Sequence, residues 1–380
     1  MICSRVHQCS AMPRNHGCSR MGKLFAYVQS SSMKSSTCMA PLLYADIVHP
    51  PPSPVRVSRM RAVLLETAGP ALHLRDAVLP DPQPAPDEAL LRVTSCGFSH
   101  HDALIMEGAL RRGVTLPRVL GHEVAGVVCG VGDGVPTRLI GTEAVVMPGD
   151  IGHRRDGGFA EMLSAPVASL VPLPQGMAAT GGALLASPIG VALRALEACG
   201  VAGGETLVVT GASGGVGAHA AQAAHAMGAS VIGITGSPEK AQRLEGEPWL
   251  DAVLLDDEPW EEVVAALTGD MGADAALDTT GTSLGRLVAA MRQGGRIALV
   301  GQTSPDAAPF APAEAIFREL TLVGSLGVER RHVERALSLV AGGQVTPLVH
   351  EELPLSVESV TCAYRAVKRR EVLGRVVLRP

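Results

Sequence analysis

The sequence predicts an α/β chain in which a small β-barrel precedes a doubly wound parallel sheet. Residues 207–217 read LVVTGASGGVG, an apolar β-rich run that breaks into glycines and opens the alanine-rich helix pattern AHAAQAAHAM. Downstream, the runs SVIGIT, AVLL, ADAALD, GRIALV and TLVGS alternate with helical stretches, as strands of a parallel sheet covered on both faces do. Upstream, residues 60–187 hold short β runs between turns, the spacing of a small barrel.

The first 59 residues stand apart. They are rich in Ser, Met, Cys and Pro, show no amphipathic period and end in HPPPSPVRVSR, so disorder is expected. They lack the arginine-bearing amphipathic helix of an organelle transit peptide and the apolar core of a secretory signal. Met60 begins the strand MRAVLLE and is expected to be the natural start of translation, with the upstream stretch a dispensable extension. Four cysteines (Cys3, Cys9, Cys18, Cys38) lie in that stretch, and the other four (Cys96, Cys129, Cys199, Cys362) are scattered, which suits a reducing cytoplasm better than a disulfide framework.

A chain of 380 residues, 47% of them hydrophobic, suffices for two domains with their own cores, and no apolar run is long enough to span a bilayer. Net charge is −5; the first 59 residues hold seven Lys and Arg against the single Asp46, a charge of +6, which leaves −11 on the remainder. So acidic a body argues against nucleic acid as a partner.

The glycine-rich loop between strand and helix is read as a dinucleotide cradle. Gly211, Gly214 and Gly217 let the backbone turn sharply and bring amides to a pyrophosphate, with Ser213, Gly215 and Val216 completing the loop; the helix N-terminus stabilises the anion. Ala212 stands where the fingerprint G-x-G-x-x-G has its first glycine. At the end of SVIGIT, an acidic residue would bind an adenosine ribose, but Thr235 stands there, followed by Ser237 and Lys240. Lys240 is one of only two lysines from Met60 onward, and it falls where a 2′-phosphate would lie. NADPH is therefore expected over NADH, with Ser237 and Lys240 on the phosphate and Arg243 as helper. The alternative is that Lys240 solvates a helix face.

In order and spacing, CGFSHHD (96–102), GHEVAG (121–126), GGFAEM (157–162), TGASGGVG (210–217), GGRIALVG (294–301) and LGRVVL (373–378) resemble the medium-chain dehydrogenase/reductase superfamily across 60–380. The resemblance implies a GroES-like catalytic domain (60–187), a Rossmann NADP-binding domain (188–330) and a C-terminal segment returning to the catalytic domain (331–380), with the active site between them. It also implies a homodimer paired through TLVGS, and a nicotinamide end near Thr279, Gly281, Gly301 and Gln302.

Zinc enzymes of the superfamily hold their metal with two cysteines and a histidine. Here Ser99 and Ser187 stand at the cysteine positions and only His122 remains. A neutral hydroxyl is a poor substitute for thiolate, so no tightly bound zinc is expected, although His122 with Glu123, Asp102 or His101 can be imagined as a makeshift site. The four-cysteine lobe that binds structural zinc in many relatives is replaced by GDIGHRRDGG. Reducing a carbon–carbon double bond conjugated to a carbonyl needs only donors to an enolate, as in the zinc-free quinone and enoyl reductases, and the cofactor-domain sequence is similar to the acryloyl-CoA reductase branch. The expected activity is NADPH-dependent reduction of an activated alkene in a small molecule. His101 would donate or relay a proton, Ser99 and Ser187 would act as neutral donors, and Asp102 would orient His122 or His101. His100, His101 and His122 can equally be read as inherited cleft lining. The alternatives are a zinc alcohol dehydrogenase with improvised ligands and a non-catalytic NADPH-binding redox sensor. Met106, Leu110 and Phe310 are candidate pocket-shaping side chains.

Overall fold

The computed structural model describes residues 58–380 apart from Pro305 and Ala307; the N-terminal extension and its four cysteines lie outside the described residues. The run MRAVLLE forms β1 (Arg59–Thr67), which pairs antiparallel with β2 (His73–Pro80) and with the short β4 (Arg118–Val119). In a separate barrel sheet, β3 (Glu88–Phe98) pairs with both β5 (Glu123–Val131) and β7 (Met162–Pro166). The barrel sheet continues through β6 (Glu143–Val146) to β8 (Leu170–Pro172). Leu65, Leu91, Phe98 and Phe159 fill its core, the two phenylalanine rings stacked at 5.9 Å between centroids.

The third sheet has six parallel strands in the order β11 (Ala252–Leu255), β10 (Ser230–Thr235), β9 (Thr206–Thr210), β12 (Ala273–Asp278), β13 (Met291–Leu299), β14 (Thr321–Gly324). Central strands covered on both faces need apolar side chains on both, which explains why VVT and AALD show no alternation. Strand order reverses between β9 and β12, so the crevice at their carboxyl ends is where such a sheet receives a ligand. The run TLVGS forms β14, at the edge of this sheet.

The chain then returns. A helix at Arg330–Ala341 still packs on the helix Gly190–Ala198 of the Rossmann unit, so the crossing begins after it. Strands β15 (Val349–Pro354) and β16 (Arg375–Arg379) join the barrel sheet, β16 antiparallel to β3. The Gly374 N–H donates to Ser213 O at 3.0 Å, so the closing strand is tied to the glycine loop. Among the described residues no helix is long and apolar enough to cross a membrane.

Candidate active site

The glycine loop adopts the shape its residues imply. Gly211 has φ +62°, open to glycine at little strain, and a Cβ at Gly217 would collide with Gly211 O. Gly214 begins the helix Gly215–Ala226 with no side-chain cap, which leaves first-turn amides for an anion. Across the strand-order reversal, Thr210 Oγ1 donates to Asp278 Oδ1 at 2.8 Å and Thr279 Oγ1 donates to Thr210 O at 2.7 Å, fixing the two strand ends. Gly211, Ser213, Gly214, Gly215, Val216, Gly217, Lys240, Thr279 and Gly301 line one cavity of about 750 Å³. Ser99, His101, His122 and Ser187 line the same cavity from the barrel side.

Two expected cofactor residues act differently. Thr235 is buried, its hydroxyl 3.0 Å from that of Ser213, and Ser237 caps the helix Pro238–Leu244, accepting from Lys240 N and donating to Glu239. Neither lines the cavity; they hold Ser213 and Lys240 in place. Arg243 does not line it either, whereas Arg370, which sequence reasoning missed, does. Its guanidinium lies beside Gly236, 3.3 Å from where a Cβ would stand. Burial, then the charges of Arg370 and Arg243, lower the pKa of Lys240.

On the barrel side, Ser99 N-caps the helix His100–Met106 in a capping box with Asp102. Ser99 Oγ donates to Asp102 Oδ2 at 2.6 Å, so this hydroxyl is committed to the helix end and is not the free substrate donor expected. Asp102, wholly buried, also accepts from Gly121 N at 3.1 Å and faces His122 Nδ1 at 3.8 Å. Burial opposes the Asp102 charge, but His122 and the Ser99 hydroxyl outweigh it and hold the carboxyl at about 2. Burial likewise opposes charge on His122, yet the Asp102 and Glu123 carboxylates raise its pKa above the ordinary histidine value. His122 Nε2 lies 3.3 Å from Ser187 Oγ, which a π-helical turn at Leu185–Ile189 presents.

His101 meets His122 edge to face at 5.0 Å between ring centroids and His153 at 5.5 Å. Burial, then repulsion by His122, pushes it down to about 4, which leaves it neutral at pH 7. His153, also missed, belongs to the GDIGHRRDGG segment that stands in place of the four-cysteine lobe. The cleft wall here consists of Leu104, Ile151 and His153. Met106 instead packs in the barrel core, Leu110 against that core, and Phe310 lies at the surface. Among the described residues, no group of three or more His, Cys, Asp or Glu is arranged to hold a metal.

Arg375 was also missed, although LGRVVL places a lone cation in an apolar run. Its Nε reaches both oxygens of the buried Glu123, and its guanidinium occupies the space a Cβ would take at Gly215. It thus braces the glycine loop against the residue next to His122.

Residues 85–175 match the alcohol dehydrogenase GroES-like domain and residues 215–342 the zinc-binding dehydrogenase domain. The chain is 31% identical over 345 residues to an acryloyl-coenzyme A reductase of Sulfurisphaera tokodaii, covering 84% of this chain and all of the relative. It is 31% identical over 310 residues to a quinone oxidoreductase of Mus musculus, covering 78% and 91%. The solved structure of AibC superimposes with a TM-score of 0.76 at 31% identity, over 87% of this chain and 99% of that one. Paired domains, a dinucleotide crevice and relatives matched almost end to end agree: the chain is an NAD(P)H-dependent oxidoreductase of the medium-chain dehydrogenase/reductase superfamily.

Proposed function

We propose that the protein reduces an activated alkene, an enone, quinone or enoyl thioester, with NADPH and without a catalytic metal. The observation that carries this reading is the fate of the zinc-ligand positions. Ser99 spends its hydroxyl on Asp102, Ser187 is neutral, and His122 is left as a single imidazole held toward its charged form. That donor set is poor for a divalent cation and good for an oxygen that gains negative charge. The similarity to acryloyl-coenzyme A reductases and quinone oxidoreductases supports the same reaction class.

When bound, the reduced nicotinamide supplies the hydride that adds to the β carbon of the alkene. The protein's part is to hold and protonate. The glycine loop and the amides at the start of its helix take the pyrophosphate, and Lys240 and Arg370 supply the cations that favour a 2′-phosphate. His122 Nε2 and Ser187 Oγ donate to the substrate carbonyl and stabilise the enolate. Neutral His101 relays a proton from solvent, taking it up on one ring nitrogen as it releases the N–H of the other toward the α carbon, which completes the addition of hydride and proton.

The exposed Ile316 and Phe317, close in sequence to the edge strand β14, support a homodimer as the working assembly. The deciding experiment follows NADPH absorbance against an enone, a quinone and an enoyl thioester, with and without chelator. Chelator-insensitive turnover is expected. Turnover of alcohols or ketones that a chelator abolishes would favour a zinc dehydrogenase, and cofactor binding without turnover a sensor.

A further inference from the structure

The barrel-side mouth of the cavity carries positive charge that the reaction does not use. Leu104, Pro148, Gly149, Ile151 and His153 line the inner wall. Just outside, segments 108–114 and 149–155 meet: a Cβ at Gly113 would come within 3.0 Å of Arg154 Nε and 3.3 Å of His153 Cε1. Arg111, Arg112 and Arg154 are exposed there.

The nearby carboxylates are largely spoken for. Lys368 pairs with Glu107 at 2.8 Å, Arg118 with Asp156 at 2.9 Å, and Arg155 turns away to Glu88 at 2.6 Å. Asp150 remains, 3.7 Å from Arg154 across exposed surface, too loose to cancel it. Arg111 Nε donates to Gly108 O at 2.6 Å and braces its turn, and among the described residues no ion pair engages Arg111 or Arg112.

This excess sits on a body whose net charge beyond residue 59 is −11, which on the whole disfavours a polyanionic substrate. Nor does the cofactor phosphate account for it, since that end of the cavity has its own cations in Lys240 and Arg370. Hydride transfer to a small neutral enone or quinone has no use for three guanidinium groups at the entrance.

We propose that Arg111, Arg112 and Arg154 form a recognition rim for the phosphates of a coenzyme A thioester, whose acyl group enters past Leu104 and His153. The inference rests on the alkene-reductase reading and narrows its substrate class. Guanidinium groups bind phosphate oxygens bidentately, and the pantetheine arm is long enough to separate phosphates at the surface from a double bond inside.

The experiment compares acryloyl-CoA with acryloyl-pantetheine, which carries the same reactive group without phosphate, in the wild type and in an Arg112→Gln/Arg154→Gln double variant. Arg111 is left to brace its loop. In the wild type, kcat/KM is expected to favour the CoA thioester, and its KM to rise with salt. In the double variant that preference is expected to fall about tenfold, through KM rather than kcat. A preference unchanged by the substitutions, or a KM indifferent to salt, would overturn the rim. If no alkene is turned over at all, the reductase reading is what fails. Calorimetric titration with acryloyl-CoA then judges the rim alone: binding weakened in the double variant upholds it, and no binding by the wild type sinks it.

Discussion

Arg375 Nε lies 3.1 Å from both carboxylate oxygens of Glu123, whose side chain has no exposed surface. The pair joins the closing strand to the strand that follows His122, and the same guanidinium packs against Gly215 at the start of the phosphate-loop helix. Removing one partner of a buried pair leaves the other charge without compensation, which costs about 3–5 kcal/mol. Arg375→Leu is expected to lower the denaturant midpoint by a corresponding amount and to weaken NADPH binding. A variant as stable as the wild type, with unaltered cofactor affinity, would show that the pair braces nothing.

The facing of Asp102 and His122 sets a pH dependence. Because the carboxylate raises the His122 pKa, the imidazolium persists to higher pH than an ordinary histidine would, and reductive kcat is expected to fall as pH rises through that raised value. Asp102→Asn removes the charge, so the falling limb shifts to lower pH and kcat at pH 7 drops about a hundredfold. Asn keeps one acceptor oxygen, which can take the Ser99 N–H and hydroxyl that Oδ2 accepts, so the helix cap is largely preserved at the loss of the Gly121 N–H bond. An unmoved pH profile in a folded variant would remove His122 from the reaction.

Much of this was legible in the sequence because it depends on local pattern. The glycine loop and the six parallel strands follow from periodicity and turn chemistry that each segment carries by itself, whereas the edge position of TLVGS was implied only by the family resemblance. Ser99 with Asp102 carried a local signal that was read too chemically, since S-x-x-D ahead of an apolar helix marks a capping box. Arg370, Arg375 and His153 were not legible in the same way. Each reaches the cleft from a loop or returning strand far along the chain from its neighbours there, and only tertiary contact brings Arg375 to Glu123 across 252 positions. Thr235 illustrates the converse: its place at the end of the second strand put it among the expected cofactor residues, but it is buried there with its hydroxyl against that of Ser213.

Cofactor choice should follow the cations at the adenosine end. Burial and the neighbouring Arg370 already disfavour the Lys240 ammonium, so an added phosphate dianion is favoured there beyond simple pairing. Lys240→Ala and Arg370→Gln are each expected to raise the NADPH dissociation constant about tenfold or more, the loss of one charged hydrogen bond. NADH affinity, read by the same fluorescence titration, should move far less. Equal loss for both cofactors would mean that these residues only hold the cleft together.

Stability against acid should depend on His219, buried in the phosphate-loop helix. Its Nδ1–H donates to Gly215 O at 2.5 Å and its Nε2 accepts from Leu348 N at 2.9 Å, a pattern that only the neutral ring satisfies. Burial pushes its pKa down to about 4. Between that value and the ordinary histidine range, the unfolded chain takes up a proton that the folded chain refuses. The stabilising contribution is therefore complete above the ordinary value and is lost as pH falls toward 4, up to about 3 kcal/mol. His219→Gln retains a donor and an acceptor without a titrating group, so its melting temperature should fall less than that of the wild type between pH 7.5 and pH 5. Parallel losses in the two proteins would place the acid-sensitive group elsewhere, with His101 the next to test, since burial depresses it to the same value.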